Sequence, residues 1–509
     1  MIDTKALREK ILDLAIRGRL VPQDPNDEPA SLLLDRIRVQ KQQMVKEGKL
    51  KAKDIKNDTI IFKGEDNLHY EQFQNGTVKC IENEIPFETP ESWAWARLRT
   101  ISFDLPYGTS KKSSSNGKIA VLRMGNLQNG EIDYSDLVYS SDEEDIKKYS
   151  LIKGDLLFNR TNSIELVGKT SVYRGDIPAI YAGYLIRIRS SLNSEYLNTV
   201  MNSSYAREYC TSVRTDAVNQ SNINAAKLGN ILIAVPSISE QKRISKKTSE
   251  SIKVINIIEQ EKMDLQTMAT NVKSKILDLA IRGKLVPQDP NDEPASVLLE
   301  RIRAEKKELI KQGKIKRDKK ESVIFKGEDN SYYQDLPENW ELCSILNIAE
   351  VELGKTLDKK KNTGKFYPYL RSINVKWNDI DLSDLNQMRF EPEEIERYTV
   401  HKNDLLICEG GDVGRCCVWQ GEPILYQNAL HRVRFYGSCN PYFFVYTLMW
   451  LEKIGYLKRI SNGVTIKHLT KSILGTIQFP LPPLAEQNQI VKAIEIAFTY
   501  LDKIMNYIS

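Results

Sequence analysis

A stretch of 29 residues occurs twice in this chain. Residues 10–38 read KILDLAIRGRLVPQDPNDEPASLLLDRIR and residues 275–303 read KILDLAIRGKLVPQDPNDEPASVLLERIR, so 26 of 29 positions are identical. The three differences are chemically mild: Arg19/Lys284, Leu32/Val297 and Asp35/Glu300. The copies lie 265 residues apart in a chain of 509. The repeat predicts a duplicated protein whose function requires two copies of one structural unit.

Length and composition predict a water-soluble protein of two to four domains. Hydrophobic residues make up 41% of the chain and the mean hydropathy is −0.42. No apolar run reaches the roughly 18 residues of a membrane span, and the charged N-terminus does not resemble a signal peptide. The seven cysteines are an odd number without a CxxC pair, which favours reduced thiols and a cytoplasmic location. The net charge of +5 permits a nucleic-acid partner without requiring one.

The repeat itself predicts two helices joined by a proline-rich loop. The first helix should end at Gly18, because glycine after a basic last turn is a common C-terminal signal. The loop VPQDPNDEP should end with Asp27 or Glu28 as a cap and with Pro29 at the first helical position. An amphipathic helix is then expected over about residues 30–47.

Two further sequence patterns follow along the chain. Short β-rich runs separated by turn residues occupy about residues 59–236 and predict a mixed α/β domain. Residues 238–282 contain neither Gly nor Pro, and their apolar residues recur at mostly three- and four-residue spacing. This pattern predicts one coiled-coil-like helix of roughly 65 Å.

The second half repeats this plan with looser matches. The expected fold class is α+β, with two mixed α/β globular domains separated by long antiparallel helices in a pseudo-twofold arrangement. In the central helix, Ile276 is the 35th residue after Gln241, whereas the C-terminal helix has 22 residues after Gln487 and the N-terminus has 11 up to and including Ile11. The two terminal helices should therefore lie end to end and imitate the central helix, which closes a pseudo-cyclic chain. The predicted segments are 1–58, 59–237, 238–322, 323–483 and 484–509.

Motifs for catalysis are missing from the sequence. There is no GxxxxGK[ST] loop, no HExxH, no GxSxG and no methyltransferase [DNS]PP[YFW] tetrapeptide. The four histidines are scattered, and acidic pairs such as Glu143–Glu144 are typical of solvated helix faces. We therefore expect no catalytic site and no metal site, and binding rather than catalysis.

The regions that differ between the halves contain Arg, Lys, Asn and Gln on turns between strands. Arg and Lys suit guanine edges and phosphates, whereas Asn and Gln suit adenine edges. Such runs are also common in solvated loops, but their occurrence at matching positions of both halves favours DNA contacts. The candidates in the first half are Lys111, Lys112, Arg123, Asn126, Arg160, Asn162, Arg187, Arg189, Arg214, Asn219, Gln220 and Asn222. The candidates in the second half are Lys355, Lys359, Lys360, Arg371, Asn374, Lys376, Arg415, Gln427, Arg432, Arg434, Asn462 and Lys467.

Several motifs make the chain resemble the specificity subunits of type I restriction-modification systems. They are Glu91-Ser92-Trp93 with Glu338-Asn339-Trp340, GDLL at 154–157 with NDLL at 403–406, PLPPLAEQ at 480–487, and the long helices. The resemblance covers essentially the whole chain. The second half has NDLL in place of GDLL, and the first helix start reads SISEQ in place of PPLAEQ.

The resemblance implies two target recognition domains, each reading one half of a bipartite sequence in double-stranded DNA. It also implies docking of two modification (methyltransferase) subunits and of restriction/translocase subunits. S-adenosylmethionine, ATP and Mg would then be bound by those partners, and no cofactor by this chain. No membrane partner is expected.

The near-identical repeats are expected to provide two equal docking surfaces, because two copies of one partner need equal surfaces. The alternative is that core packing preserved the repeat after duplication. The candidate docking residues are Leu14, Arg17, Leu20, Pro22, Leu279, Arg282, Leu285 and Pro287. For the whole chain, the alternative function is a coiled-coil scaffold that joins two protein-binding domains.

Overall fold

The computed structural model describes residues 3–217, 220–315, 336–358, 362–461 and 468–508. The chain divides into a first unit, Ile2–Glu261, and a second unit, Lys262–Ser509. Each unit combines helices with several small β-sheets, so the mixed α+β class with two sheet-rich domains is confirmed. The segment boundaries and the pseudo-cyclic arrangement stay predictions.

The first unit begins with two helices and continues with strand-rich chain. Its helices are α1 (Thr4–Ile16), α2 (Ala30–Lys46), α3 (Ala52–Ile55), α4 (Leu98–Ile101), α5 (Glu143–Tyr149), α6 (Ser194–Met201), α7 (Ser204–Val213) and α8 (Ala225–Gly229), followed by α9 (Ile238–Ile281), which ends in the second unit. Its strands are β1 (Ile60–Lys63), β2 (His69–Gln72), β3 (Val78–Cys80), β4 (Ala94–Arg97), β5 (Ser102–Asp104), β6 (Ile119–Leu122), β7 (Leu127–Gln128), β8 (Glu131–Ile132), β9 (Val138–Ser140), β10 (Leu156–Asn159), β11 (Thr161–Asn162), β12 (Thr170–Val172), β13 (Ala179–Tyr181), β14 (Leu185–Ser190), β15 (Thr215–Ala217), β16 (Gln220–Asn222) and β17 (Leu232–Val235).

The second unit follows the same order. Its further helices are α10 (Ala295–Lys311), α11 (Ile345–Ile348), α12 (Pro441–Lys453), α13 (Tyr456–Ile460), α14 (Lys471–Leu474) and α15 (Leu484–Ile508). Its strands are β18 (Glu341–Ser344), β19 (Ala349–Leu353), β20 (Lys365–Leu370), β21 (Val375–Lys376), β22 (Asp379–Ile380), β23 (Asn386–Phe390), β24 (Thr399–Val400), β25 (Leu405–Cys408), β26 (Cys416–Val418), β27 (Ile424–Tyr426), β28 (Leu430–Phe435) and β29 (Gln478–Leu481).

The sheets of the two units share one topology. The antiparallel sheet β12-β10-β14-β5 of the first unit corresponds to β26-β25-β28-β19 of the second. Each unit also has a parallel pair, β13 with β6 and β27 with β20, and an antiparallel pair that joins the domain start to the strand before the long helix, β4 with β17 and β18 with β29. The duplication predicted from the repeat therefore extends to the strand order of these sheets.

The helices of the repeat belong to the cores of their own units. Ile16 and Ile37 are buried together with Trp93 in the first core, and Ala280 and Ile302 are buried with Trp340 in the second. α1 ends at Ile16, next to the predicted stop at Gly18, and Gly18 adopts a φ of 67°. A Cβ at Gly18 would also lie 2.5 Å from Pro90 Cγ, so this turn needs glycine twice over.

The predicted cap of α2 was wrong. The helix starts at Ala30 with Pro29 at the N-cap and no side-chain cap, and the Ala30 N–H donates to the carbonyl of Ser92. Asp27 is bound instead by Arg243, and Glu28 by Arg36. The acidic side chains of the loop thus bind arginines, and the carbonyl of Ser92 accepts the first N–H of the helix.

The NDLL departure leaves the local turn unchanged. Gly154 has a φ of 96° and Asn403 a φ of 71° at the equivalent position. Asparagine is among the residues that tolerate the left-handed region best. The aspartate that follows each of them, Asp155 or Asp404, accepts a backbone N–H three residues earlier in both units.

α9 confirms the long helix predicted from residues 238–282. It has 44 residues, which corresponds to about 66 Å. Within the first unit Arg8 of α1 bonds to Asn256 of α9, and within the second Lys273 of α9 bonds to Asp502 of α15. Ile255 and Leu277 are buried, but Met268 remains 61% exposed, so the predicted apolar seam is only partly covered.

Strands fall on the apolar runs that the sequence indicated in the first half, whereas the matching run 323–330 of the second half lies outside the described residues. All seven cysteines are free, as expected from their number and spacing. Burial raises the pKa of Cys210 and of Cys417 to about 12, so both thiols stay protonated at neutral pH.

Candidate functional site

Each unit contains a buried glutamate that joins three distant segments of its own sequence. In the first unit the indole N–H of Trp93 donates to Glu240 Oε2 at 2.9 Å, and the side-chain amide of Gln23 donates to the other carboxylate oxygen. Gln23 lies in the repeated loop, Trp93 at the domain start and Glu240 at the start of α9. We call this arrangement the latch. The second unit builds the same latch from Gln288, Trp340 and Glu486.

Burial raises the pKa of Glu240 and of Glu486 above the ordinary glutamate value, although the hydrogen bonds from tryptophan and glutamine act in the opposite direction. None of the latch residues was predicted to be functional. The signal available in the sequence was the Glu-Gln pair that both long helices share at their starts, within SISEQ and PPLAEQ.

A second shared feature contains four of the predicted DNA-binding residues. Arg123 caps a short turn: its backbone N–H donates to Asn126 Oδ1, and its guanidinium binds Asp136. Asn126 is buried and donates to two backbone carbonyls. The second unit forms the same turn with Arg371, Asn374 and Asp384.

The strand arginines that were predicted to bind DNA also recur as internal ion pairs. Arg189 donates to both oxygens of Asp155 at 2.7 Å, and the Asp155 side chain is 1% exposed. Arg434 makes the same bidentate pair with Asp404. On the strand residue two positions earlier, buried Arg187 pairs with Asp104 and buried Arg432 with Glu350.

One candidate is buried at a position whose polar contacts differ between the two units. Lys355 is 5% exposed and its ammonium is held by Glu391 and Glu394. Thr109 occupies the equivalent position of the first unit and donates its hydroxyl to Asp145. The candidates of the shared turn, of the strand ion pairs and of the Lys355 ion pair are engaged inside their domains, so we place the candidate interface on the other described candidates, which are half-buried or exposed.

The first unit places five of the remaining candidates on or next to one small sheet, β11-β16-β15. Asn162 lies on β11, Gln220 and Asn222 on β16, and Arg214 directly before β15, where it pairs with Asp216. Arg160 precedes β11. Asn219 lies outside the described residues.

Arg160 is the most distinctive member of this sheet region. Its guanidinium lies 4.6 Å from the ring centroid of Tyr107, and its donors bond to neutral oxygens of Gly183 and Asn222 at 3.3 Å. Within the described part of the unit no carboxylate pairs with it. Tyr107 and Tyr184 beside it are 41% and 53% exposed. This surface offers a cation and two aromatic rings to a partner.

The equivalent position of the second unit carries the opposite charge. The carbonyl of Glu409 accepts from Leu469 N just as that of Arg160 accepts from Ile223 N, which fixes the equivalence. Glu409 is half-buried and makes no ion pair among the described residues. It was not predicted, although the aligned runs GDLLFNR and NDLLICE place it opposite Arg160.

The other candidates lie apart from one another. Lys111 is exposed and pairs with Asp142, whereas the neighbouring Lys112 is exposed and has no ion pair in the described structure. In the second unit Lys376 is exposed, Arg415 pairs with Asp412 and Gln427 is half-buried. Four candidates of this unit lie outside the described residues: Lys359, Lys360, Asn462 and Lys467.

The predicted docking residues are only partly free. Leu20 and Leu285 pack against the cores of their units, and Arg17 binds Asp13 and covers the Phe87 ring. Pro22, Pro287 and Arg282 are exposed, the last beside Asp278, whereas Leu14 and Leu279 are half-buried. The docking assignment stays a prediction.

Neither metal nor membrane features are found in the described ranges. No cluster of three or more His, Cys, Asp or Glu side chains there could hold a metal ion. No helix in that part of the chain is long and apolar enough to cross a membrane.

Two domains on one framework, with opposite charges at one equivalent position, define a duplicated two-domain protein. The sequence model of the type I restriction modification DNA specificity domain matches residues 106–267 and 337–508. These matches cover more than half of the chain, which therefore belongs to this family.

Curated relatives agree with this family. The chain is 28% identical to the type I restriction enzyme EcoAI specificity subunit of Escherichia coli, over 96% of this chain and 88% of the relative. It is 26% identical to the EcoEI specificity subunit of Escherichia coli, over 98% and 90%.

Solved structures share the fold. A chain from a study of complex assembly and conformational transition of the type I R-M system aligns with a TM-score of 0.54 at 15% identity, over 83% of this chain and 94% of that one. The HsdS subunit from Thermoanaerobacter tengcongensis aligns with a TM-score of 0.50 at 15% identity, over 83% and 93%.

Proposed function

We propose that this chain is the non-catalytic, DNA-reading subunit of a type I restriction-modification complex. Each unit recognises one half of a bipartite target in double-stranded DNA. The observation that carries the proposal is the pair Arg160 and Glu409, which place opposite charges at equivalent points of one framework. Arginine suits the acceptor edge of guanine, whereas glutamate accepts from the amino group of cytosine.

The shared framework supports two readers rather than one. The latches, the Arg-Asn turns and the strand ion pairs are the same in both units, whereas the surface at Arg160 and Glu409 differs. Half-sites of different sequence require this combination, because equal positioning and unequal base contacts must come from different residues.

Partners supply the chemistry in this proposal. Two modification subunits bind S-adenosylmethionine, and restriction subunits bind ATP and Mg, in the cytoplasm. Exposed apolar side chains on α15, namely Ile496, Tyr500, Ile504 and Tyr507, recur at helical spacing and support docking of a partner helix there.

The test exchanges residues 90–235 for the corresponding domain of another family member and maps methylated adenines after co-expression with the modification subunit. We expect one half-site to change and the other to remain. An unchanged methylation pattern would refute the recognition role. Binding of the assembled complex to its target should also fall steeply with salt, because counterions are released from phosphates. A salt-independent interaction with another protein would instead favour the scaffold alternative.

A further inference from the structure

We propose that the two latches are positioning devices that set the length of DNA accepted between the half-sites. The inference rests on the proposed function and adds residues that fix the direction of each long helix relative to its recognition domain. It concerns the six side chains of the latches and not the side chains that contact bases.

The latch holds the helix start through both oxygens of one carboxylate. Trp93 is 7% exposed and Trp340 1% exposed, and each packs edge-on against an aromatic ring of its domain, Tyr196 or Phe443. The indole N–H therefore has a fixed direction. Because the glutamine amide takes the second oxygen, rotation of the glutamate would break at least one hydrogen bond.

The next residue clamps the same helix start from another side. Gln241 accepts from the backbone N–H of Asn193 at 2.8 Å and donates to the carbonyl of Pro236. Gln487 makes the same two bonds with Asn440 and Pro482. Asn193 and Asn440 cap α6 and α12, so the Glu-Gln pair ties each long helix to the domain start and to a domain helix at once.

This geometry explains why the repeat loop is preserved although it is polar. Gln23 and Gln288 each donate both to the latch glutamate and to the carbonyl of the glycine that ends the preceding helix. The loop thus connects the repeat to the recognition domain. Two equal latches are needed for two equal joints, whether or not a partner also contacts the loop.

The length of α9 turns a small angle into a large displacement. For a helix of about 66 Å, a tilt of about 5° at one end moves the other end by about 6 Å. One base-pair step is about 3.4 Å. Rigid control of the helix direction is therefore required if a bipartite reader is to distinguish spacers that differ by one base pair.

The first unit has one additional ion pair between its long helix and its repeat loop. Arg243 of α9 pairs with Asp27 of the repeat loop at 2.6 Å. The residue at the corresponding position of α15 is Gln489. Loss of the latch should consequently have a larger effect in the second unit than in the first.

The test measures methylation of DNA duplexes whose half-sites are separated by the native spacer or by one or two base pairs more or fewer, using the complex with the modification subunit. Trp340→Phe and Trp93→Phe remove the N–H donor together with part of the ring system, and Glu486→Gln, which keeps the size of the side chain, is a milder second variant. Trp419→Phe is the matched control, because this buried indole also donates one hydrogen bond, to Glu422 O, but lies outside the latch.

We expect Trp340→Phe to weaken the preference for the native spacer by about ten-fold, the factor that corresponds to one lost buried hydrogen bond. Trp93→Phe should weaken it less, and both should keep the sequence of each half-site. Spacer preference equal to that of wild type in both Trp variants and in Glu486→Gln would overturn the positioning role. A wild-type complex that needs only one half-site would refute the proposed function itself.

Discussion

The two units share most of the buried contacts described above and differ in charge at one half-buried position. Arg189 and Arg434 make the same bidentate ion pair, and Trp93 and Trp340 close the same latch. Arg160 and Glu409, in contrast, carry opposite charges at equivalent positions. Among these residues, agreement between the units marks the scaffold, and the difference in charge marks the position that we propose reads DNA.

The largest expected effect tests the shared scaffold. Asp155→Ala should leave Arg189 without its carboxylate partner and lower the free energy of unfolding by roughly 3 kcal/mol. Asp404→Ala should have a similar effect through Arg434. Denaturant titration of both variants measures this, with Asp136→Ala, an exposed partner of Arg123, as the mild control. A large loss in only one variant would break the equivalence of the units.

The next effect tests the differing edge. Arg160→Glu should change the base preference at one position of one half-site by about 5- to 150-fold, the range of a good base contact of roughly 1–3 kcal/mol. Glu409→Arg should do the same for the other half-site only. Methylation of a randomised duplex library gives the readout. Equal weakening of both half-sites by either variant would show that the charge acts without sequence preference.

A smaller effect separates free from paired lysines. Lys112→Ala should lower the slope of log affinity against log salt by about 0.9 if the ammonium contacts a phosphate. Lys111→Ala is the matched control, because Lys111 already pairs with Asp142. Titrations of the complex on one duplex at several salt concentrations measure both slopes. A greater change in slope for Lys111→Ala than for Lys112→Ala would contradict the expectation, because it would place the phosphate contact at Lys111.

The smallest effect concerns the latch carboxylates. The pKa of Glu240 and of Glu486 is raised in the folded chain, chiefly by burial. Folding therefore takes up protons, and this contribution to stability is lost as pH rises from the ordinary glutamate value through the raised one. Glu240→Gln with Glu486→Gln should remove that part of the pH dependence. Unfolding curves across this interval compare variant and wild type, and parallel pH profiles would contradict the expectation.

Periodicity and turn signals located the helices and strands well, because they depend on local spacing. The presence of Arg, Lys, Asn and Gln in loops was a poorer guide to which side chains lie at the surface. Asn126 and Arg187 have the residue types that read bases, yet both are buried in hydrogen bonds and ion pairs. Composition cannot tell a guanidinium that pairs with a distant aspartate from one that faces solvent.

The duplication held information of another kind. Recurrence of Arg123 as Arg371 and of Arg187 as Arg432 indicates a shared structural role, whereas the change from Arg160 to Glu409 indicates different contacts. Internal comparison of the halves could have separated these groups from the sequence alone. The latch could not be predicted from the sequence, because Gln23, Trp93 and Glu240 are far apart in the chain.

The equality of the two latches has a consequence for how such a chain can change. A recognition domain from either half brings the same tryptophan to the same glutamate and the same backbone to cap the same helix. Domains can therefore be exchanged between positions, or between related genes, without redesign of the joint. Under the proposed function, such an exchange would change the DNA target in a single step, while the joint stays as it was.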